Sequence, residues 1–355
     1  MVERELTAAT PPVSRRGLSS LNKVALTAFL GALLFAVWAV VFEQPFYLGL
    51  ATEALILGGL AMSVDLLLGY CGLLSLGHAL FFGLGAYMGG LLLLHYTGSF
   101  WLTCLLVVPA SAAIGLVGGL IALRSSGVYF ALITFAMAQV VEKVVFVTNE
   151  IGLESPRGAV DVGGSDGFQG VPGVEVDLLL FSLDLRDPLS FFLLTLTLVS
   201  VTYLGLYWLM STPFGRTLRA LRTNERRLPH LGYAPRRFKL AAFVLSAVIA
   251  GFFGALYPML RGGAFPELLT FGMSGDAVIS VIIGGTGTLI GPLIGTALLV
   301  FMRSVVGSEL GDLHVIIVGL VFIAAVIFFP KGIVGYARAY LDRPKPDRGR
   351  TDNDG

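Results

Sequence analysis

Apolar runs separated by short polar breaks dominate the chain, and a run of about 20 residues is what a helix needs to cross the hydrocarbon core of a bilayer. The pattern predicts spans at 24–42, 47–68, 73–95, 100–123, 128–148, 189–211 and 240–260. A longer apolar stretch follows at 275–303, then a last span at 313–330. The first run ends in VVFEQPF, without the small-residue cleavage site of a signal peptide, so it reads as a retained span. Residues 1–23 form a polar N-terminal tail, 24–335 the membrane domain, and 336–355 a polar, Pro-rich tail that is expected to be disordered.

Charge orients these spans, because loops rich in Lys and Arg stay on the cytoplasmic side. Arg4, Arg15, Arg16 and Lys23 hold the N-terminus inside, and alternate crossings then place 149–188 outside, where acids outnumber bases. The next crossing brings inside a basic island, residues 212–239, with Arg216, Arg219, Arg222, Arg226, Arg227, Arg236, Arg237 and Lys239 against the single acid Glu225. A single crossing at 275–303 would put the basic C-terminal tail outside. A hairpin turning at GGTGTLIGP returns it to the cytoplasm, so the sequence predicts an all-α, polytopic transmembrane helical bundle of about 8–10 membrane segments, this Gly-rich hairpin included. Gly284, Gly285, Gly287 and Gly291 would then need backbone partners from protein or a water-filled cavity, since lipid offers none.

Composition agrees: 55% of residues are hydrophobic and 13% charged, with a mean hydropathy of +0.84. A net charge of +1 gives no field for nucleic acid. Cys71 and Cys104 lie in apolar runs and read as small hydrophobes, and no His or Cys spacing suggests a metal. No catalytic constellation and no cofactor site is expected: GGTGTLIG lacks the GK[ST] ending of a phosphate-binding loop.

Several polar groups fall within the spans. In the block Gly69–Gly90, small residues permit close backbone approach or a break, and His78 reads as a neutral ring bonded to a backbone carbonyl, a group beside a translocation path, or a proton relay. Asp65 reads as a structural hydrogen-bond acceptor or a functional group, and Glu53 is a further ionisable residue. Glu142 and Lys143 point about 100° apart on a helix and are expected to snorkel rather than pair with each other. Ala247, Gly251 and Ala255, at four-residue spacing, suit tight helix packing, with a kink near Gly251 or Gly254 as the alternative. Within the island, Leu218, Leu221 and Leu228 mark one side of a short amphipathic helix that breaks at Gly232, the kind of element a membrane protein presents to a soluble partner.

The ordered blocks GLLSLGHALFFGLGAY, GVYFALITFAMAQ, GGSDGFQGVPG, TPFGRTLRALRTNERRLPHLGY, KLAAFVLSAVIAGFFGALY, GGTGTLIGPLIGTALL and FPKGIVG resemble the permease subunits of branched-chain amino acid ABC importers. The resemblance implies a multi-pass protein of the cytoplasmic membrane, not itself an enzyme, that forms a pseudo-twofold heterodimer with a second permease. Two cytoplasmic ATPase subunits would drive it and an extracytoplasmic solute-binding protein would feed it. It maps a coupling helix to about Arg216 through Gly232, with Asn224, Glu225 and Gly232 at signature positions and Arg216, Arg219 and Arg222 among the contacts, and it makes Ser75, His78, Gly284, Gly285 and Gly287 candidates for the translocation path. The chain departs from the family where Arg226, Arg227, Leu228 and Pro229 follow the Glu, which predicts an interruption before Pro229, and where Leu73 replaces a common Gln. A urea or short-amide ABC permease is the alternative within this class, and a secondary transporter, which needs ion-coupling carboxylates or broken helices in an internally repeated arrangement, is the alternative outside it.

Overall fold

The structure is a computed structural model that describes residues 15–156, 158–178, 181–310 and 332–341, with residues 319, 320, 323 and 327 besides. Apart from those four residues, the expected last span at 313–330 lies outside the described residues, as does the tail beyond Leu341. Among the described residues, seven helices are long and apolar enough to cross a membrane: α1 (Arg15–Val41), α2 (Pro45–Asp65, continued to Cys71 by a wider π turn), α3 (His78–Leu91, continued to Tyr96 likewise), α4 (Phe100–Ala122), α5 (Val128–Val147), α6 (Pro188–Ser211) and α8 (Pro235–Arg261). A short helix, α7 (Pro213–Asn224), occupies the basic island. The 275–303 stretch is not one span but two apolar helices, α9 (Phe271–Gly284) and α10 (Ile290–Leu310), packed on each other across a turn. α11 (Gly332–Leu341) crosses the boundary expected at 335 and 336, and α1 begins nine residues before the apolar run at Val24.

Two ends of the bundle are defined by contact. At one end α7 meets the C-terminal turn of α2, the α9–α10 turn lies against Gly69, and Gly332 lies against Gly285. The first residue of α11 therefore lies at the same end as the hairpin turn. At the other end the segment 149–188 forms short antiparallel pairs, β1 (Glu150–Ser155) with β2 (Gly158–Asp161) and β4 (Glu175–Leu178) with β5 (Phe181–Asp184). Its β3 (Phe168–Gln169) pairs with β6 (Gly263–Ala264), the strand that leaves α8, and Phe168 packs edge-on to Tyr87 with centroids 5.5 Å apart. These small strands were not expected from the sequence. They satisfy the backbone of a segment too polar to enter the bundle.

α8 is the spine. Gly85 of α3 faces Gly251, Gly89 faces Ala255, and Gly254 faces the Phe82 carbonyl so closely that no Cβ fits at Gly85, Gly89 or Gly254. Gly115 of α4 likewise meets Ala247. Without a hydrophobic drive between helices in lipid, such backbone contact supplies the dispersion energy that holds the bundle. The Ala247, Gly251, Ala255 ladder is thus a packing stripe for two neighbours at once.

Asp187 begins α6: its carboxylate accepts from Ser190 Oγ at 2.7 Å and Ser190 N at 2.9 Å. The Ser190 hydroxyl first, then the backbone amides, hold this exposed carboxyl below the usual carboxylate range. Asp187→Ala is expected to lower thermal stability by about 1 kcal/mol. Because the native value is depressed, the contribution is complete above about pH 4 and fades as pH falls through the native value. Thermal unfolding of both proteins in detergent from pH 7 to pH 3 should show the gap closing at acid pH. A gap that is constant with pH would remove the cap.

Candidate functional site

The island folds as α7 because Thr212 and Pro213 set its first turn and Leu218 and Leu221 are buried against the bundle. Gly215 is required where the helix crosses the Met210 backbone, with no room for a Cβ. The helix stops at Asn224, whose extended backbone leaves the helix while its side chain accepts from Arg226 N at 3.1 Å. Two 3-10 turns follow, Glu225–Arg227 and Pro229–Leu231, and Gly232 closes the second at φ 80°. The coupling element mapped to Arg216 through Gly232 is therefore three pieces, interrupted before Pro229 as the sequence predicts. The interruption comes at Asn224, five residues ahead of Pro229, because the Asn side chain competes for the backbone.

The proposed coupling residues divide into two sets. Arg219 donates to the Met210 carbonyl at 2.9 Å, and Arg222 Nη1 donates to the Gly69 carbonyl, so both guanidinium groups are anchored on the bundle although the residues are exposed. Glu225 pairs with Lys239 of α8 at 2.6 Å, and its partner is thus in this chain. Arg216, Arg226, Arg227, Leu231 and Tyr233 remain exposed and form the outward surface.

Behind Arg222 lies the hairpin turn. Asp65 is fully buried, and its two carboxylate oxygens accept from Gly287 N at 2.6 Å and Leu289 N at 3.1 Å. Leu289 sits at φ 60°, a conformation that costs a side-chain-bearing residue about 1 kcal/mol and is held here by the Asp65 bond. Thr288 completes the turn, donating to the Gly285 carbonyl at 2.7 Å and accepting from Gly291 N at 3.0 Å. The structural reading of Asp65 is the one observed.

A second break runs from Gly72 to Gly77, inside the span expected at 73–95, with Gly72 at φ 74°. Its amides are satisfied by side chains: Leu76 N by Thr134 Oγ1 at 3.2 Å, Gly77 N by Ser75 Oγ at 3.5 Å, and Ala79 N by Ser274 Oγ at 2.9 Å. His78 meets Ser246 Oγ at 3.1 Å rather than a backbone carbonyl. Since Ser246 donates to the Phe243 carbonyl, the His78 Nε2 carries the proton, and its ring lies edge-on to Phe81 and Phe243. Ser75 and His78 are buried among these bonds, and Gly284 is pressed on Gly291. The five proposed path residues thus fall into two separate backbone breaks, and none lines the cavities bounded by α2, α9 and α10.

Those cavities are lined by charges that were not singled out as site residues. Arg303 forks onto Asp276 with contacts of 2.5 and 2.6 Å, and Arg261 contacts Glu53 at 2.5 Å. Asp276 and Arg303 are 27 residues apart, one on each arm of the hairpin, a separation that no helical periodicity reveals. A third contact corrects an expectation: Lys143 reaches Glu142 at 3.5 Å, because its long exposed stem folds back over the Phe146 ring. Gln139 also donates to Glu142, at 2.5 Å.

A family model described as the branched-chain amino acid transport system / permease component matches residues 46–326, and the chain belongs to that family. Over 310 residues it is 31% identical to the High-affinity branched-chain amino acid transport system permease protein LivM of Salmonella typhimurium (strain LT2), across 82% of this chain and 71% of that protein. The protein of the same description from Escherichia coli (strain K12) matches to the same extent. No solved structure matches the chain.

Asp65→Asn keeps one acceptor and turns a donor toward a backbone N–H, while Asp65→Ala leaves both amides bare. Each unsatisfied buried group costs about 1–3 kcal/mol. Melting in detergent should therefore rank wild type above Asn and Asn above Ala. Equal melting of wild type and Asp65→Asn would show that the carboxylate does not hold the turn.

Proposed function

We propose that this family member is the membrane-spanning permease subunit of an ABC importer for branched-chain amino acids, driven by two separate ATPase subunits and paired with a second permease. The family membership carries the reading. The chain then contributes no ATP hydrolysis of its own: it supplies the path and the lever. The end of the bundle bearing α7 faces the cytoplasm, and 149–188 faces outward to meet a solute-binding protein. The division of the basic island supports this assignment. Arg219 and Arg222 tie α7 to the bundle, so that a push on the exposed surface around Arg226, Arg227, Leu231 and Tyr233 moves α7 as a body with the turn behind it. Glu225, paired with Lys239, acts within this chain to keep the loop against α8.

The complex reconstituted in proteoliposomes should take up leucine, isoleucine and valine only with ATP and the binding protein present. Uptake of urea with none of these amino acids would select the short-amide reading. Orientation has a separate check in intact cells, where a cysteine at the exposed Ser165 should react with an impermeant thiol reagent and one at Thr223 should not. Labelling at Thr223 from outside would invert the topology and with it the position of the ATPases.

A further inference from the structure

The ion pairs Glu53–Arg261 and Asp276–Arg303 line one cavity of about 500 Å³ between α2, α8, α9 and α10. At 1.5 Å per helical residue, Asp276 lies about 12 Å from the end of α9 at Gly284, and Arg303 about 20 Å from the start of α10. Glu53 lies about 18 Å along α2 from Asp65. Measured from the turn, Glu53, Asp276 and Arg303 stand inside a hydrocarbon core of about 30 Å, and Arg261, the last residue of α8, reaches Glu53 from the rim of the cavity. The Arg261 and Arg303 side chains are nevertheless 51% and 48% exposed. Charged groups at such depth face protein or a water-filled cavity, so this wall is not a lipid face.

The charges sum to zero while presenting both signs to one space. An anion would be met by an excess of cations. An uncharged amide such as urea would need no ions at this depth, where each one is costly. A zwitterionic α-amino acid matches: its carboxylate can take a guanidinium in a forked contact, and its ammonium the carboxylate thereby released. Leu57, Leu260, Met273 and Val300 line the rest of the cavity and suit an apolar side chain. A smaller void shares Asp276 and Arg303 with this cavity and adds Ser280 and Thr296, continuing along α9 and α10 in the direction of the hairpin turn.

We infer that the wall carrying these two pairs is a transient site for a zwitterionic α-amino acid with an apolar side chain, the solute exchanging partners with Arg303–Asp276 and Arg261–Glu53 as it passes. This rests on the permease reading above and selects the amino acid over the short amide. Without solute, each pair satisfies its own charges. With solute, an ion pair is traded for two of similar strength, so the passage leaves no charge unpaired.

The test uses the whole reconstituted complex and labelled leucine. Arg303→Gln and Asp276→Asn should each lower uptake roughly ten- to a hundredfold, the worth of one charge-assisted contact. The exchanged pair, Asp276→Arg with Arg303→Asp, restores the brace with its polarity reversed and should restore assembly with the ATPases but not uptake. Wild-type uptake by the exchanged pair would make this a structural brace and overturn the site. A second measurement leaves both pairs intact: in a chain with Cys71 and Cys104 replaced by Ser, Leu57→Cys should react with a small aqueous thiol reagent and be protected during leucine turnover. An unreactive or unprotected Leu57→Cys also overturns the site. Failure of the wild-type complex to import leucine would reject the permease reading itself and the site with it, whereas normal wild-type import with either negative result rejects the site alone.

Discussion

A polypeptide that breaks its helices inside a membrane must satisfy the freed amides from its own side chains, because lipid satisfies none. Among its described residues this chain breaks its apolar stretches twice within the bundle, and both repairs decide its architecture. Between α9 and α10 the amides of Gly287 and Leu289 go to one carboxylate, Asp65, from a helix more than two hundred residues away in sequence. Before α3 the amides go to Ser75, Thr134 and Ser274. Each repair also staples elements together: Asp65 binds α2 to the hairpin, while Thr134 and Ser274 bind α5 and α9 to the start of α3. The same bonds that make irregular backbone tolerable thus fix the relative positions of five helices.

α8 joins these repairs to the two ends of the molecule. Its Lys239 holds Glu225 beside α7, its Ser246 receives His78, its Gly251 and Gly254 lie on α3, and its Arg261 closes on Glu53 at the rim of the charged cavity. A helix of 27 residues is about 40 Å long, which is enough to run from the basic island to that cavity. Packing without room for a Cβ allows α3 and α8 little independent movement, so they behave as one body. Under the proposed coupling, a displacement of α7 would be carried by two routes, through Arg222 into the end of α2 and through Lys239 into α8, and both helices border the cavity.

Periodicity and length made the seven long spans legible, since about 20 apolar residues have few other fates in a chain of this composition. The hairpin was legible for a different reason: the charge of the C-terminal tail required an odd number of crossings after α8, and only Gly284 to Gly291 could turn. What pattern could not show was which polar group meets which. His78 was visible as a polar residue at depth, but its partner Ser246 is 168 positions away. The small residues of Gly69–Gly90 allowed a break, but its place at Gly72 to Gly77 was hidden because Leu73, Leu74 and Leu76 keep the stretch apolar while Thr134 and Ser274 do the capping from elsewhere. Asn224 ended α7 early through a local side-chain bond that the bordering Arg-rich sequence disguised.

The acids within the bundle separate by what satisfies them. Asp65 spends both oxygens on backbone amides, which have no other partner to turn to, so its environment offers no exchange and it serves as a fixed post. Asp276 gives both oxygens, and Glu53 one, to guanidinium groups at the ends of long, half-exposed side chains, which can swing to another carboxylate without stranding a backbone group; the other Glu53 oxygen accepts from the Tyr257 hydroxyl. A carboxylate held by the main chain costs the fold to disturb, whereas one held by a movable cation costs little if a substitute ion arrives with the right sign. The chemistry of the partner, more than depth or burial, is what sets the structural acid apart from the two that can meet a passing solute.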